Sequence, residues 1–204
     1  MKTLLIVGVE TVVGANLAAS WSDRARVIGL STGPEINISG CEMGACERAS
    51  DEIVRRWLNQ TQATHVVYCG VASRSSWEPT AKTMEDPAAS IWASGAGDAG
   101  AHFTLISSDA VFSGPWMFHE ENSKSLCASK NADAIRECEE EVSESCPKSL
   151  IVRTNAFRWS PVALNGGWLE SLLTSLENND SADIDPISHA TPILATDFAD
   201  CLEA

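Results

Sequence analysis

A short apolar run that ends in polar side chains is the feature of this sequence that most limits its fold. Residues 103–106 are Phe-Thr-Leu-Ile, and Ser107, Ser108 and Asp109 follow directly. In an open parallel sheet, a buried strand crosses the core and brings the residues after it to the carboxyl edge, where such folds bind ligands. The run therefore predicts a strand of an α/β sheet, with the three polar residues at a binding site.

Similar apolar runs recur along the chain and alternate with helix-length stretches. Strands are predicted at residues 3–7, 26–30, 65–69 and 149–154, and helices at residues 15–21, 51–58, 87–100, 125–142 and 167–176. This alternation is typical of a parallel sheet covered by helices on both faces. The predicted fold class is α/β, a Rossmann-like doubly wound parallel sheet, with residues 1–204 as a single domain.

The turn after the first predicted strand carries two glycines, Gly8 and Gly14, where the strand passes to a helix. This pattern is typical of a turn that holds the pyrophosphate of a dinucleotide at a helix N-terminus. Thr11 stands between the glycines, where its Cβ would obstruct the approach of the phosphates, and Glu10 adds a like charge. The two interpretations are a weakened dinucleotide site and a tight turn without a ligand.

Composition excludes several classes of partner. The formal net charge is -14, so we expect no nucleic-acid partner, because an acidic surface repels phosphate backbones. No apolar run approaches the ~20 residues of a membrane span, and residues 1–8 are predicted to be a strand rather than a signal peptide. The seven cysteines lack paired metal spacing, which favours reduced thiols, a cytoplasmic protein and no metal site; disulfides or zinc are the weaker alternative.

The residues from Ser107 to Gly114, together with Lys130, resemble the extended short-chain dehydrogenase/reductases. The nearest resemblance is to the dTDP-4-dehydrorhamnose reductase branch, whose strand ends in Ser-Thr-Asp-Tyr-Val-Phe-x-Gly and is followed by Tyr-x-x-x-Lys. Residues 150–154, Leu-Ile-Val-Arg-Thr, and residues 191–199 also match segments of that branch. These enzymes continue through a fuller substrate-binding region, so the resemblance implies that residues from about 155 to 204 are a reduced version of it.

The resemblance implies an NAD(P)-dependent reductase of nucleotide sugars, with Ser108 and Lys130 as the catalytic residues. In the family, a serine or threonine hydroxyl bonds the substrate carbonyl, and the lysine lowers the pKa of a catalytic tyrosine. The residues implied to bind the cofactor are Gly8, Thr11, Val12, Val13, Gly14, Ser31, Cys69, Gly70, Val71 and Lys130. No acid follows the second strand to bind the ribose, and Ser31 and Thr32 suggest a slight preference for NADP.

The tyrosine of the family motif is absent, because Leu126 occupies its position. Leucine has no proton to exchange. Two hypotheses follow: a reductase or epimerase that uses Cys127, His119 or water as proton donor, or a homologue with weak or lost activity. The second would bind NAD(P) weakly or not at all, and would bind a nucleotide-sugar ligand or, if regulatory, a protein partner.

Other expectations concern side chains near this region. The helix predicted at residues 125–142 would place Lys130 one turn after Leu126 and direct Cys127 about 100° away. Its acidic run, which contains Glu139, is interpreted as a solvated face. The single tyrosine, Tyr68, is expected in a buried strand that does not face the catalytic residues. Asp197 is expected to cap the last helix.

Overall fold

The computed structural model describes residues 2–75, 85–113, 119–160, 167–180 and 191–203. The strands are β1 (Thr3–Val7), β2 (Arg26–Ser31), β3 (Glu42–Ala45), β4 (His65–Tyr68), β5 (His102–Ser108), β6 (Leu150–Phe157) and β7 (Pro192–Leu194). The helices are α1 (Val12–Trp21), α2 (Asp51–Thr61), α3 (Pro87–Asp98), α4 (Lys130–Ser145), α5 (Trp168–Glu177) and α6 (Ala195–Glu203).

The seven strands form one parallel sheet in the order β3-β2-β1-β4-β5-β6-β7. The order reverses between β1 and β4, because β1 is followed by β2 on one side and β4 lies on the other. Open α/β sheets bind ligands at such a reversal, beyond the carboxyl ends of the strands. The predicted doubly wound parallel sheet is therefore confirmed, and its reversal identifies the edge where a site is expected.

Two apolar layers cover the two faces of the sheet. Leu5 and Val7 of β1 point to one face, where α2, α3 and α4 pack. Ile6 points to the other face, which α1 and α6 cover. This division follows from the alternation of side chains along a strand. Because strands buried on both faces need apolar residues, β1 continues after Thr3 as Leu-Leu-Ile-Val, without a polar residue.

The predicted helix at residues 125–142 is wrong at its start. α4 begins at Lys130, and the hydroxyl of Ser129 caps it by accepting a 3.1 Å hydrogen bond from the backbone N–H of Ala132. Leu126 lies before the helix, in an isolated antiparallel bridge with Phe112, and the N–H of Cys127 donates to the carbonyl of Val111. Leu126, Cys127 and Lys130 therefore do not share a helix.

Two further expectations are corrected. Glu139 is buried, since its side chain is only 7% exposed, and it pairs with Arg153 of β6. Glu139 is therefore not part of a solvated acidic face, because it lies on the side of α4 that faces the sheet. Asp197 is in the first turn of α6 rather than at its cap, because the helix begins two residues earlier at Ala195.

No described helix is both long enough and apolar enough to cross a membrane. The sequence also predicts a loop at residues 114–121 that carries three large apolar side chains. Residues 114–118 of that loop lie outside the described residues.

Candidate cofactor and catalytic site

The glycine turn between β1 and α1 is closely packed against β4. Gly8 has φ +79°, and a Cβ at this position would lie 2.0 Å from the carbonyl oxygen of Cys69. A Cβ at Gly14 would lie 2.5 Å from the carbonyl oxygen of Gly8. Both positions therefore require glycine for the geometry of the turn itself. This requirement holds with or without a ligand, so the two glycines alone do not distinguish between the two interpretations.

Thr11 occupies the N-cap of α1 and uses its hydroxyl within the turn. Its Oγ1 donates to the carbonyl of Gly8 over 2.9 Å and accepts from the N–H of Gly14 over 3.0 Å. The N–H groups of Val12 and Val13, by contrast, make no hydrogen bond within the described part of the chain. A helix N-terminus with two open N–H groups can still hold a phosphate, although one donor fewer is available to it.

Glu10 reaches from this turn to the end of β2. Its Oε1 accepts a 3.1 Å hydrogen bond from the N–H of Thr32 and a second bond from the Thr32 hydroxyl. Its Oε2 is buried without a partner among the described residues. The hydroxyl of Ser31, itself buried, donates to the carbonyl of Pro34 over 2.6 Å. The two hydroxyls on which the slight NADP preference rested are therefore both engaged within the protein.

A cavity of about 250 Å³ opens beyond the carboxyl ends of β1, β2, β3 and β4. Four of the predicted cofactor residues line it, together with charged groups that were not predicted. The lining includes Glu10, Thr11, Thr32, Arg48, Tyr68, Cys69, Gly70, Val71, Arg74 and Asp86. The structure thus brings together residues from the glycine turn and from the segment after β4, as a dinucleotide site requires.

Asp86, just before α3, fills the side of this cavity next to Gly70. Its Oδ1 accepts a 2.8 Å bond from the hydroxyl of Tyr68, and its Oδ2 accepts from the N–H of Val71 over 3.1 Å. A Cβ at Gly70 would lie 2.0 Å from Oδ2 of Asp86. Burial, and then the charge of Asp86, raises the pKa of Tyr68 above its ordinary value, so this phenol does not ionise readily.

The two predicted catalytic residues, Ser108 and Lys130, lie outside the lining of this cavity. Ser108 ends β5 and is buried, and its Oγ accepts a 3.1 Å hydrogen bond from the N–H of Ala110. Lys130 is exposed at the first position of α4, and its side chain makes no contact with a charged or hydrogen-bonding group of the described chain. Neither residue lines the cavity between β2 and β4.

Asp109 was predicted at the carboxyl edge of the sheet, but without a catalytic or cofactor-binding role. Its Oδ2 accepts a 3.0 Å hydrogen bond from the N–H of Thr191, which connects the end of β5 to the segment that enters β7. Burial raises the pKa of this carboxyl, and its Oδ1 has no partner among the described atoms. The sequence places Asp109 beside Ser108, but only the fold shows that a segment 82 residues later closes over it.

Leu126 occupies the position of the missing tyrosine and forms an isolated antiparallel bridge with Phe112. Leu126 is 42% exposed, which makes it a surface residue rather than part of a helix core. His119 stacks on Phe112 with the ring centroids 4.4 Å apart, and its Nδ1 lies 3.0 Å from the Ser123 hydroxyl. Cys127 is half-buried with its Sγ 3.5 Å from the Ser129 hydroxyl.

Sequence reasoning identified the glycine turn and the segment after β4 but missed the partners of Thr32, Tyr68 and Asp109. Glu10 was expected only to repel phosphate. Its hydrogen bond with Thr32 was missed because it forms only when β1 pairs with β2. Residues 74–86 are polar, which predicts a surface loop, but the bonds of Asp86 to Tyr68 and Val71 place its side chain in the cavity. The signal available was an acid immediately before Pro87, the first residue of α3. Within the described residues, no group of three or more potential metal ligands occurs.

Comparison with solved structures shows a common fold. The enzyme WbmH of Bordetella bronchiseptica, solved with NAD+, has a TM-score of 0.75 at 15% identity, over 100% of this chain and 71% of that one. A dTDP-4-dehydrorhamnose reductase of Clostridium acetobutylicum has a TM-score of 0.71 at 18% identity, over 98% of this chain and 69% of that one. At these identities the likeness is one of fold alone.

A third structure, WbmG of Bordetella bronchiseptica with NAD and UDP, has a TM-score of 0.74 at 16% identity, over 98% of this chain and 67% of that one. A sequence comparison with curated proteins finds no match. The family model described as the RmlD substrate binding domain matches residues 1–204. This match spans every strand and helix described above, and the chain therefore belongs to the RmlD substrate binding domain family.

Proposed function

We propose that this chain is an NAD(P)-binding, nucleotide-sugar reductase-like protein whose oxidoreductase activity is weak or lost. The observation that carries the proposal is the environment of Leu126, which stands at the tyrosine position in an exposed bridge to Phe112. No proton can be exchanged by this side chain, whereas Ser108 and Lys130 are retained. General acid–base help of the missing kind contributes roughly 10²–10⁴ in rate.

The residues around the cavity fit one end of a dinucleotide, at reduced strength. The open N–H groups of Val12 and Val13 would hold the pyrophosphate, and Gly70 and Val71 would lie against the cofactor. Against binding stand the carboxylates of Glu10 and Asp86 inside the same cavity. When bound, the nicotinamide would supply or accept hydride. Ser108 would donate a hydrogen bond to a substrate carbonyl, and Lys130 would bond the ribose.

The substrate side is proposed from the family and from the neighbours. The Clostridium neighbour is a dTDP-4-dehydrorhamnose reductase, and WbmG was solved with UDP. A nucleotide sugar is therefore the ligand class we propose for this chain. We further propose that residues 1–204 form one domain and that residues from about 155 onward belong to the substrate-binding part. A chain without turnover would bind a nucleotide-sugar ligand or, if it is regulatory, a protein partner.

An active NAD(P)-dependent reductase or epimerase is the second candidate. The observation that favours it is the stack of His119 on Phe112, which places an acid–base ring on the same residue that bridges Leu126. Cys127, the next residue, is the other candidate proton donor. If this alternative holds, His119→Ala or Cys127→Ala should remove an activity that the unmodified protein possesses.

The experiment that tests the proposal combines binding with turnover. Calorimetric titration of the protein with NAD+ and NADP+ should show binding that is weak but saturable. Steady-state assays with a 4-keto nucleotide sugar and reduced cofactor should show little or no oxidation. Saturable binding without turnover supports the proposal, whereas turnover that His119→Ala or Cys127→Ala abolishes supports the alternative.

A further inference from the structure

The end of β2 is occupied by a carboxylate that comes from a different loop. In Rossmann folds the residue at the end of the second strand faces the adenosine ribose, and an acid there bonds the ribose hydroxyls. This chain has Ser31 and Thr32 at that point and no acid. Glu10, from the glycine turn, fills the position through its bonds from the N–H and hydroxyl of Thr32. The negative charge is thus present at this edge although the sequence of β2 lacks it.

The polar donors of Ser31, Thr32 and Gly33 at the end of β2 are already engaged. The N–H and hydroxyl of Thr32 both donate to Glu10. The hydroxyl of Ser31 donates to the carbonyl of Pro34 over 2.6 Å, and it accepts from the N–H of Gly33 over 3.3 Å. A phosphate on the ribose would need such donors, because it is acceptor-rich and doubly charged. It would instead meet one carboxylate and no free donor from β2.

We propose that Glu10 is a specificity-determining residue that selects an adenosine ribose with a free 2′-hydroxyl and rejects one with a 2′-phosphate. The inference rests on the proposed function, since it takes the cavity to be a dinucleotide site. The selection acts mainly by repulsion: a carboxylate fixed at the end of β2 opposes the 2′-phosphate of NADP more than the uncharged hydroxyl of NAD. The same charge lowers the affinity for both cofactors through the pyrophosphate.

Two arginine side chains also line the cavity. Arg48 and Arg74 line it, are exposed, and form no ion pair within the described residues. Arg48 follows β3 and is preceded by Glu47, which lines the same cavity. With Glu10, Glu47 and Asp86 against two arginines, the lining has one negative charge more than positive. Arg48 is nevertheless the residue that would reverse the selectivity if a 2′-phosphate reached it.

The test compares ligands that differ only in the 2′-phosphate. ADP-ribose and 2′-phospho-ADP-ribose are titrated by calorimetry into the whole protein, and NAD+ and NADP+ are titrated in parallel. The unmodified protein should bind the unphosphorylated member of each pair on the order of tenfold tighter. Glu10→Gln should reduce this preference to about threefold or less, chiefly by tightening the phosphorylated ligand. The glutamine keeps an acceptor for the N–H of Thr32, so the fold should be retained.

Glu47→Gln is the matched control, because it removes a carboxylate from the same cavity without touching Thr32. It should leave the ratio of the two affinities unchanged. Equal affinities in the unmodified protein, a preference for the phosphorylated ligand, or a ratio that Glu10→Gln does not alter would each overturn the inference. A preference for the phosphorylated ligand that Arg48→Gln abolishes would assign selectivity to Arg48.

Failure of the proposed function gives a different result. The protein could bind ADP-ribose more tightly than 2′-phospho-ADP-ribose, as expected, and yet bind neither dinucleotide. In that case the role of Glu10 stands and the cavity is not a dinucleotide site. If none of the four ligands binds to the unmodified protein or to Glu10→Gln, both proposals are wrong.

Discussion

The hydroxyl of Ser107 donates a 2.6 Å hydrogen bond to Oε1 of Glu139, in the layer between β5 and α4. Arg153 of β6 pairs with the same carboxylate through its Nε and Nη2, at distances of 2.6–3.2 Å. The bond to Glu139 also raises the pKa of Arg153. One buried acid therefore joins β6 to β5, which carries Ser108, and to α4, which carries Lys130.

Glu139→Ala should lower the free energy of unfolding by roughly 2–4 kcal/mol, because it leaves a partly buried arginine without its partner. The Ser107 hydroxyl also loses its acceptor. Urea denaturation of the two proteins measures the difference. Glu140→Ala, on the exposed side of the same helix, is the control and should change stability by less than about 0.5 kcal/mol. Equal effects of the two substitutions would mean that the buried pair contributes nothing.

Glu10→Ala combined with Thr11→Gly should tighten NAD(P) binding by about tenfold, or roughly 1.4 kcal/mol. The change removes the charge beside the pyrophosphate position and the Cβ at the N-cap of α1. Calorimetry measures the affinities for NAD+ and NADP+ in the unmodified protein and in the double variant. Thr11→Ser keeps the capping hydroxyl and should leave these affinities unchanged. Absence of binding in every variant would indicate a site that has been lost altogether.

Gly8→Ala should destabilise the protein by more than Gly100→Ala. Both glycines have positive φ, +79° and +71°, so both substitutions carry the cost of a left-handed residue, about 1 kcal/mol. Only at Gly8 would the Cβ meet backbone, 2.0 Å from the Cys69 carbonyl oxygen, whereas nothing lies within 4 Å of a Cβ at Gly100. Thermal unfolding should therefore show a clearly lower midpoint for Gly8→Ala. Similar midpoints would contradict the close packing of the turn on β4.

Stability should fall as the pH drops below the ordinary histidine pKa of about 6.5. Burial, the neighbouring His102 and Lys2 lower the pKa of His65, whose ring centroid is 4.9 Å from that of His102. Arg24 and Glu203 line the same small cavity. Because the folded-state pKa lies below the unfolded one, the unfolded chain takes up the proton first. The stability contribution is complete above about 6.5 and is lost as the pH falls toward the folded value.

His65→Gln should flatten this dependence, measured as the free energy of unfolding against pH. A curve that His65→Gln does not alter would assign the acid sensitivity to other groups.

The sheet was predictable because its strands are apolar on both faces, as in residues 3–7, and because the helices between them carry clear signals. Ser50, for example, precedes the acids Asp51 and Glu52, a pattern that predicts a helix start. Its hydroxyl caps α2 by accepting a hydrogen bond from the N–H of Ile53. Local signals failed at residues 125–129, whose composition suits a helix. The bridge of Leu126 to Phe112 and the cap at Ser129 determine the backbone there, and both depend on tertiary contacts.

The candidate site was only partly predictable for the same reason. Gly8, Gly14 and Gly70 could be identified because a turn or a close approach requires glycine. The hydrogen-bond partners of the polar groups could not be predicted from local sequence, because they are distant in the chain. Glu10 and Thr32 are 22 residues apart, and Ser107 and Glu139 are 32 residues apart. A carboxylate that looks solvated in sequence becomes buried when a fold places an arginine opposite to it, as Arg153 shows.

The most direct test of weak or lost oxidoreductase activity is the rate of NADH and NADPH oxidation with dTDP-4-dehydrorhamnose. This compound is chosen because the Clostridium neighbour is a dTDP-4-dehydrorhamnose reductase. The account predicts a rate no higher than that without substrate, since Leu126 offers no proton and Lys130 has no phenol to activate. Turnover at a rate typical of enzymes, roughly 1–10³ per second, would contradict it and show that another group supplies the proton.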